Sequence, residues 1–365
     1  MSMRRRTMIA VVITLLLVVD AVLTGSSSSK AATPGMAHAA AVQPQGSPLV
    51  AYLGPSKTQS VVYVSGVDGG TKRRLGPGEG PLISPDGGYY VAASATNFKG
   101  PALLLYSTEG GSPRQFFDSG DQTATPLAWS PNGRYLAVAL LGTAVNSTRG
   151  SGLAVIDTQT WTTTMVAKGI IYGASFNPKG TQELVYASAA SQLGTATSEI
   201  QSVSVYGGKS TPLTHGGRSL FPVWAPQGII FDRSHARGGE QAPEYQVWLM
   251  GERQLEQLTS VKVSALTDGL VPLAVSADGN RIVAAFVGED TDEAWTIQIT
   301  PRKITQITRG QTTVQPAGIS SNGQRVLLDV GSFETSPNYG TVDTVPFGGG
   351  RLVKVVAGAD ASWNG

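Results

Sequence analysis

A short hairpin motif recurs along this chain at intervals of 44 to 51 residues. In residues 127–142, LAWSPNGRYLAVALLG, an apolar strand ends at Trp129, a turn follows, and a second apolar strand begins at Tyr135. Pro131 presets the first corner of a type I turn, and Gly133 supplies the left-handed backbone that lets the second strand pair back. The position of Trp129 recurs at Ile83, Phe176, Trp224, Val275, Ile319 and Trp363.

This interval constrains the fold more than any other feature of the sequence. Repeats of about 40 to 50 residues made of strands and turns are typical of a β-propeller, because one four-stranded blade cannot bury both of its faces alone. Seven motif positions predict an all-β, seven-bladed propeller over residues 49–365, with six blades as the alternative if one unit is misassigned. The predicted turn glycines are Gly87, Gly133, Gly180, Gly228, Gly279 and Gly323.

The two ends of the repeat region complement each other. The first unit, from residue 49, has three strands and lacks an inner one, whereas the last unit continues past its outer strand into ADASWN, residues 359–364. If ADASWN pairs with LVAYL at 49–53, the two chain ends share one blade and the ring leaves no long open edge.

The strand composition fits stacked sheets. Inner strands such as YLAVALL at 135–141 are nearly continuous apolar runs, as expected when both faces of a sheet are covered. Trp129, Trp224 and Trp363 share one repeat position, so we interpret them as packing residues between blades rather than as ligand-stacking residues.

The N-terminal segment predicts export. Residues 1–25 have a basic start and an apolar run from Met8 to Leu23, typical of either a cleaved signal peptide or a retained transmembrane anchor helix. Residues 26–48 are small and polar and indicate a flexible linker. In both cases the arginines stay cytoplasmic and the rest is extracytoplasmic, with membrane contact through this segment if it is uncleaved.

Charge and cysteine content exclude several classes of function. The chain has no cysteine, which excludes disulfides, thiol catalysis and cysteine-ligated zinc. Its net charge is +2, but residues 1–39 hold four basic and one acidic side chain, which leaves 23 basic and 24 acidic side chains, a net −1, for the remainder. We therefore predict no nucleic-acid partner.

The nine residues from Trp129 to Ala137, WSPNGRYLA, resemble the repeat of TolB-type propellers, the WD40-like Pro-Asp repeat. This repeat occurs in periplasmic TolB and in the propeller domains of prolyl-oligopeptidase-type peptidases, and the resemblance covers about 49–365. It implies the fold more than a function, because propellers host unrelated activities. Residues 26–48 offer no counterpart of the α/β domain of TolB, so binding of the TolB partner Pal is not carried over. The Gly-x-Ser-x-Gly motif of the peptidases is also absent from this sequence.

The sequence offers no evident catalytic or metal-binding set. The segments that lead into the inner strands, such as IIYGASF and LVPLAV, are mostly apolar and would make a poor metal cage. The acidic cluster Glu289–Glu293 has the oxygen ligands that Ca²⁺ prefers, but it lacks the spacing of a calcium loop, so a solvated loop is favoured. We predict no cofactor, no metal and no enzymatic activity. The alternative is a propeller hydrolase or lyase that acts on a sugar or lactone.

What remains is a binding surface. In a propeller, the connections from the outer strand to the next inner strand and from the second strand to the third lie on one face, and here they are long. The leading hypothesis is a non-enzymatic extracytoplasmic propeller that binds a protein or cell-envelope component through this face. A membrane-crossing ligand sensor is disfavoured, because residues 1–6 alone would be cytoplasmic. The predicted lining residues are Phe98, Arg149, His215, Arg218, Phe221, His235, Arg237, Lys262 and Asp268.

Overall fold

The computed structural model describes most of the repeat region, and every regular element in the described residues is a β-strand. Among the described residues, no helix has the length and apolar character needed to cross a membrane. The described residues are 48–55, 60–93, 102–118, 122–142, 150–189, 198–234, 244–252, 254–262, 267–288, 293–308, 314–331 and 340–364.

Most of the strands are five to eight residues long. In chain order they are β1 (Leu49–Gly54), β2 (Val61–Gly66), β3 (Lys72–Pro77), β4 (Glu79–Ile83), β5 (Tyr89–Ala93), β6 (Ala102–Ser107), β7 (Arg114–Asp118), β8 (Gln122–Trp129), β9 (Tyr135–Gly142), β10 (Gly152–Asp157), β11 (Thr162–Lys168), β12 (Ile170–Phe176), β13 (Glu183–Ala189), β14 (Glu199–Ser204), β15 (Thr211–Pro212), β16 (Ser219–Ala225), β17 (Gly228–Ser234), β18 (Tyr245–Met250), β19 (Leu255–Gln257), β20 (Thr267–Val275), β21 (Arg281–Gly288), β22 (Glu293–Gln298), β23 (Lys303–Gln306), β24 (Val314–Ile319), β25 (Arg325–Val330), β26 (Thr341–Pro346), β27 (Val353–Ala357) and β28 (Ala359–Trp363).

These strands form antiparallel sheets in which neighbours in sequence are neighbours in space. Four sheets follow chain order, namely β4 to β7, β8 to β11, β12 to β15 and β24 to β27, and a fifth has the order β28-β1-β2-β3. The sixth sheet joins β16 to β19 with β20 to β23 through a single parallel bridge, Tyr245 to Gly269. The first strands β4, β8, β12, β16, β20, β24 and β28 each contact the next, and β28 returns to β4. The fold is therefore a β-propeller.

The predicted pairing of the two chain ends is confirmed. β28 runs antiparallel to β1, with Val50 opposite Trp363 and Ala51 opposite Ser362. Leu49 N donates to Asn364 Oδ1 at 2.7 Å. Because β28 fills the inner place in the sheet begun by β1, the ring is closed by hydrogen bonds between residues more than 300 positions apart.

The recurring turn is held by its own side chains. After β8, Ser130 Oγ accepts a hydrogen bond from Tyr135 N and donates one to Asn132 Oδ1, both at 2.8 Å. Gly133 N donates to Ser130 O at 2.8 Å, with Gly133 at φ 69°, a left-handed backbone that favours glycine. Four equivalent glycines have φ between 68° and 75°, namely Gly87, Gly180, Gly279 and Gly323.

The prediction of the same left-handed turn at Gly228 is wrong. Gly228 has φ 151° and pairs with Ala225 across a two-residue hairpin, so β17 begins at the glycine itself. A Cβ atom at this position would collide with the carbonyl oxygen of Met250 on β18. The glycine is therefore required for close approach of two strands rather than for the turn.

Each of the seven first strands contains a register shift that was not predicted from the sequence. Five of these shifts lie at or beside a proline, and in β12 the equivalent residue is Gly173, at φ 109°. Apart from the single bridge of β20 to β18, a first strand has a ladder partner on one side only, so a missing amide hydrogen is tolerated there and a bulge forms. The five prolines are Pro81, Pro126, Pro222, Pro272 and Pro316.

The apolar core lies between adjacent sheets. On one face of β9, Leu136 and Val138 are fully buried in a cluster with Val91 of the preceding sheet, whereas Ala137 on the other face packs with Tyr186 of the following sheet. Burial on both faces explains why the strand is apolar throughout. Trp129 also bridges two sheets, since its Nε1 donates to Leu82 O at 3.2 Å.

Candidate functional site

The propeller has two faces that differ in how the chain connects. At the turn face, first strands turn into second strands, as at Gly133. The loop face is the opposite one, where first strands begin, as at Glu79 and Ser219. Connections of eight to ten residues leave it, for example between Ala93 and Ala102. Both Leu49 and Asn364 lie beside Gly87, so the two described chain ends are at the turn face.

Five of the nine predicted lining residues fall within the described ranges. His215 and Lys262 are exposed and Arg218 is partly buried. Two residues expected in loops lie in strands instead, Phe221 in β16 and Asp268 in β20. Four predictions lie outside the described residues, namely Phe98, Arg149, His235 and Arg237.

Phe221 occupies a strained position between neighbouring groups of strands. It has φ 45° within the register shift of β16. Its ring meets Tyr172 of β12 edge-on, with centroids 6.2 Å apart at 90°, and also packs against the buried cluster of Val271 and Val287 from the next group. Left-handed backbone at non-glycine residues costs of order 1–3 kcal/mol and is concentrated at functional sites.

Hydrogen bonds, most of them to its backbone atoms, hold the segment before β16 at the loop face. Glu199 accepts hydrogen bonds from Gly217 N and from Thr214 Oγ1, both at 2.6 Å. Arg233 Nη2 donates to His215 O at 2.8 Å, and Arg218, at φ 65°, accepts from Ser234 N at 3.1 Å. The two predicted basic residues His215 and Arg218 are therefore held on a rigid support.

Two acidic side chains on the loop face, Asp329 and Asp232, are buried without full compensation. Burial and the neighbouring carboxyl of Asp360 raise the pKa of Asp329 to about 8, although Ala361 N donates to its Oδ2 at 3.1 Å. Asp329 is 6% exposed and its Oδ1 has no hydrogen-bond partner. Burial also raises the pKa of Asp360 and, together with Asp360, that of Glu79.

Asp232 repeats this situation on β17. It is fully buried, neither carboxylate oxygen meets hydrogen-bond geometry, and burial raises its pKa well above the ordinary value, which outweighs the lowering effect of the amides of Asp232 and Leu220. Asp232 lies opposite Leu220 and Asp329 lies opposite Gln315, in each case the second residue of a first strand. The two buried carboxyls therefore occupy equivalent places in two sheets.

Acidic side chains on the turn face behave in the opposite way. Burial alone would raise the pKa of Asp157, but hydrogen bonds from Arg134 at 2.8 Å and from Gln159 N at 2.9 Å outweigh it and lower the pKa. Hydrogen bonds from Ser276 Oγ at 2.5 Å and from Asn280 N at 3.0 Å lower the pKa of Asp278. The carboxylates of Asp157 and Asp278 are thus paired with donors from the same or the adjoining turn.

No metal centre is evident in the part of the chain that the structure describes, where no three His, Asp or Glu side chains are arranged to hold an ion. Of the acidic cluster Glu289–Glu293, the first four residues lie outside the described ranges. Glu293 Oε2 accepts a hydrogen bond from Trp295 Nε1 at 3.1 Å.

Four acidic residues of the loop face, Glu79, Asp232, Asp329 and Asp360, were not among the predicted site residues. One signal was present, because Asp329 and Asp232 interrupt the apolar strands RVLLDV and GIIFDRS. An acid within a strand that is apolar on both faces has to be buried.

Comparison with known proteins supports the fold. No protein-family model matches the chain, and no curated protein matches it by sequence. It is similar in structure to TolB from Acinetobacter baumannii, at 16% identity and a TM-score of 0.51, covering 87% of this chain and 83% of that one. It is also similar to an oligogalacturonate lyase in complex with manganese, at 14% identity and a TM-score of 0.56, covering 84% and 83%.

A third similar structure is one of two prolyl endopeptidases, at 12% identity and a TM-score of 0.59, covering 84% of this chain and 49% of that one. Identities this low show the fold alone, which is that of TolB-like and other propellers. Because similar structures include a lyase and an endopeptidase, the prediction that this chain is not an enzyme is overturned. A propeller fold gives no ground for excluding an activity.

Proposed function

We propose that this chain is a seven-bladed propeller that binds a protein or cell-envelope component outside the cytoplasm through its loop face. The blade number is supported by the seven motif positions in the sequence and by the seven first strands that contact one another around the ring. Long connections on a rigid ring are the usual location of binding residues.

The observation that favours the loop face is the division of acidic side chains between the two faces. Every acidic residue with a raised pKa, such as Asp329, is on the loop face, and those with a lowered pKa, Asp157 and Asp278, are on the turn face. Ionisable groups that are perturbed without a compensating partner concentrate at functional sites. The strained backbone of Arg218 and Phe221 lies on the same face.

The position of the chain ends supports the same orientation. β1 begins at the turn face, where Leu49 lies beside Gly87. If the N-terminal segment is an export signal or anchor, the loop face points away from the point of attachment and is free for a partner.

A photo-crosslinking residue at one exposed position at a time tests this proposal. The full-length chain would carry it in place of His215 or Lys262 on the loop face, and in place of Lys179 or Gln324 on the turn face as matched controls. In the cells that make the protein, we expect the loop-face positions to give a discrete crosslinked product and the turn-face positions to give none. Equal products from both faces would reject the loop face as the binding surface.

Catalysis at the loop face is a second candidate function. It is favoured by Asp329, because a carboxyl with a pKa of about 8 is matched to general acid–base chemistry near neutral pH. One similar structure is an oligogalacturonate lyase in complex with manganese. The test is to incubate the full-length protein with oligogalacturonate, with and without manganese, and to follow the unsaturated product by absorbance. Turnover that is abolished by Asp329→Asn would support this candidate. The absence of turnover both with and without manganese would reject oligogalacturonate as the substrate.

A further inference from the structure

At the closing strand β28, the ring is held together by hydrogen bonds between residues far apart in the chain and not by chain continuity. It hydrogen-bonds to β1 and packs against β4, β24, β25 and β26. Two further bonds attach it to its neighbours on either side, since Ser362 Oγ accepts from Ile83 N at 3.1 Å and Ala361 N donates to Asp329 at 3.1 Å. The register shift of β28 lies between Ala359 and Ser362.

Three carboxyls surround this register shift. Asp360 lies within it, at φ 49°, whereas Glu79 begins the following strand β4 and Asp329 lies on β25 of the preceding group. Asp360 interacts electrostatically with both other carboxyls. Asp329 is buried and its Oδ1 has no partner, so a negative charge on it would face a second carboxyl, with no compensating cation among the described residues.

The other titratable groups of the packed strands do not relieve this crowding. β1 contributes Tyr52, whose own pKa burial raises to about 12, and β24 has no ionisable residue. On β26, Asp343 pairs with Leu328 and therefore points to the opposite side of the sheet from Asp329. Arg325 is at the far end of β25, where it donates to Thr344 Oγ1 at 2.5 Å. None of the strands β1, β4, β24, β26 and β28 contains lysine or arginine.

We propose that ring closure is a proton-dependent latch: a proton held by the buried carboxyl of Asp329 keeps β28 seated, and its loss sets a negative charge beside Asp360 of β28 and loosens the strand. Two carboxyls that share one site retain a proton to higher pH than either would alone.

The direction of the pH dependence follows from linkage. The ordinary pKa of an aspartate is about 3.9, and that of Asp329 is raised in the fold to about 8. The stabilising contribution is therefore complete below about pH 4 and is lost as the pH rises toward 8.

A single-cysteine labelling experiment tests the latch, because the natural chain has no cysteine. Ser362→Cys reports on the closing strand. Ser175→Cys is the matched control, since Ser175 holds the same place on β12 and accepts a hydrogen bond from Trp224 N at 2.9 Å, as Ser362 does from Ile83 N. The labelling rate of the full-length folded protein at pH 6 and 8.5 is divided by the rate of the same variant unfolded in denaturant, which removes the effect of thiol ionisation.

We expect the corrected rate at Ser362→Cys to rise at least about tenfold between pH 6 and 8.5, since the seated strand keeps the Asp329 proton to about pH 8, and that at Ser175→Cys to change less than about twofold. Adding Asp329→Asn, which keeps an oxygen for Ala361 N, should abolish the rise. Parallel rates at the two sites, or a rise that persists with Asp329→Asn, would overturn the latch. If Asp329→Asn does not fold, Glu79→Gln should reduce the rise, and an unchanged rise in that variant would overturn it equally.

Discussion

The two faces of the propeller treat polar side chains differently. At the turn face, Asp157 and Asp278 are held by donors from the same or the adjoining turn, and their pKa is lowered. At the loop face, Asp232 and Asp329 are more deeply buried, have unpaired oxygens and titrate higher. A local turn motif satisfies its own polar groups, whereas a carboxyl brought between sheets depends on whatever the neighbouring sheet supplies. Paired carboxylates are suited to a structural role in the scaffold. Buried carboxyls with unpaired oxygens are suited to a functional site.

The largest effect is expected from removing β28, the strand that closes the ring. Deletion of residues 359–365 removes β28 and leaves β1 as an unpaired inner edge. We expect the apparent Tm in a thermal melt followed by circular dichroism to fall by at least about 10 °C, or cooperativity to be lost. Asn364→Ala, which removes one hydrogen bond to Leu49 N, is the matched control and should cost only a few degrees. A truncated chain that melts like the intact one would contradict the closed ring.

Substitution of two turn-face glycines should cost less stability, and it separates the cost of backbone strain from the cost of a steric collision. Gly133 and Gly323 have almost the same φ, 69° and 68°. A Cβ at Gly133 meets nothing nearer than Pro85 Cδ at 4.0 Å, whereas at Gly323 it would lie 2.7 Å from Arg281 Cδ and 3.0 Å from Ser276 Cβ. Urea denaturation should give a loss of about 1 kcal/mol for Gly133→Ala and about 2–3 kcal/mol for Gly323→Ala. Equal losses would mean that the neighbours of Gly323 move aside freely.

On the loop face, the reverse substitution, to glycine at a left-handed position, should raise stability instead of lowering it. Arg218 has φ 65° with an ordinary side chain, so Arg218→Gly relieves backbone strain. We expect a stability gain of about 0.5–1 kcal/mol in the same urea titration, together with weaker crosslinking from the His215 position. A loss of stability would show that the Arg218 side chain contributes packing that exceeds the strain, and that this strain is not retained for binding.

An effect of similar size, which fades as the pH falls, concerns charge on the turn face. Arg134 Nη2 lies 2.8 Å from Asp157 Oδ2, and the side chains are 31% and 12% exposed. Since the pKa of Asp157 is lowered in the fold, its contribution is present above the ordinary aspartate pKa and is lost as the pH falls. Arg134→Gln should cost about 0.5–1 kcal/mol at pH 7 and less near pH 3. A cost that does not change with pH would assign the effect to lost packing over the Tyr135 ring instead of charge.

Much of the fold was predictable because its signals are local. The turn around Ser130 and Gly133 is encoded within six residues, and its recurrence predicts the sheets, while the leftover strand at 359–364 predicts closure against 49–53. The two-residue hairpin at Gly228 was not predicted, because its glycine responds to Met250 on another strand. Phe221 was expected on the loop face, but its contacts with Tyr172 and the Val271 cluster depend on how three groups of strands meet.

The sequence by itself determined the all-β repeat, the turn chemistry and the strand that completes the first sheet, because each depends on residues a few positions apart or on a count of repeats. The tertiary structure alone decided which acids meet. Glu79, Asp329 and Asp360 are far apart in the chain, and they surround one register shift only because β28 is inserted between the first and last groups of strands. Burial and mutual repulsion arise from that insertion, and these long-range terms set the chemistry of the loop face.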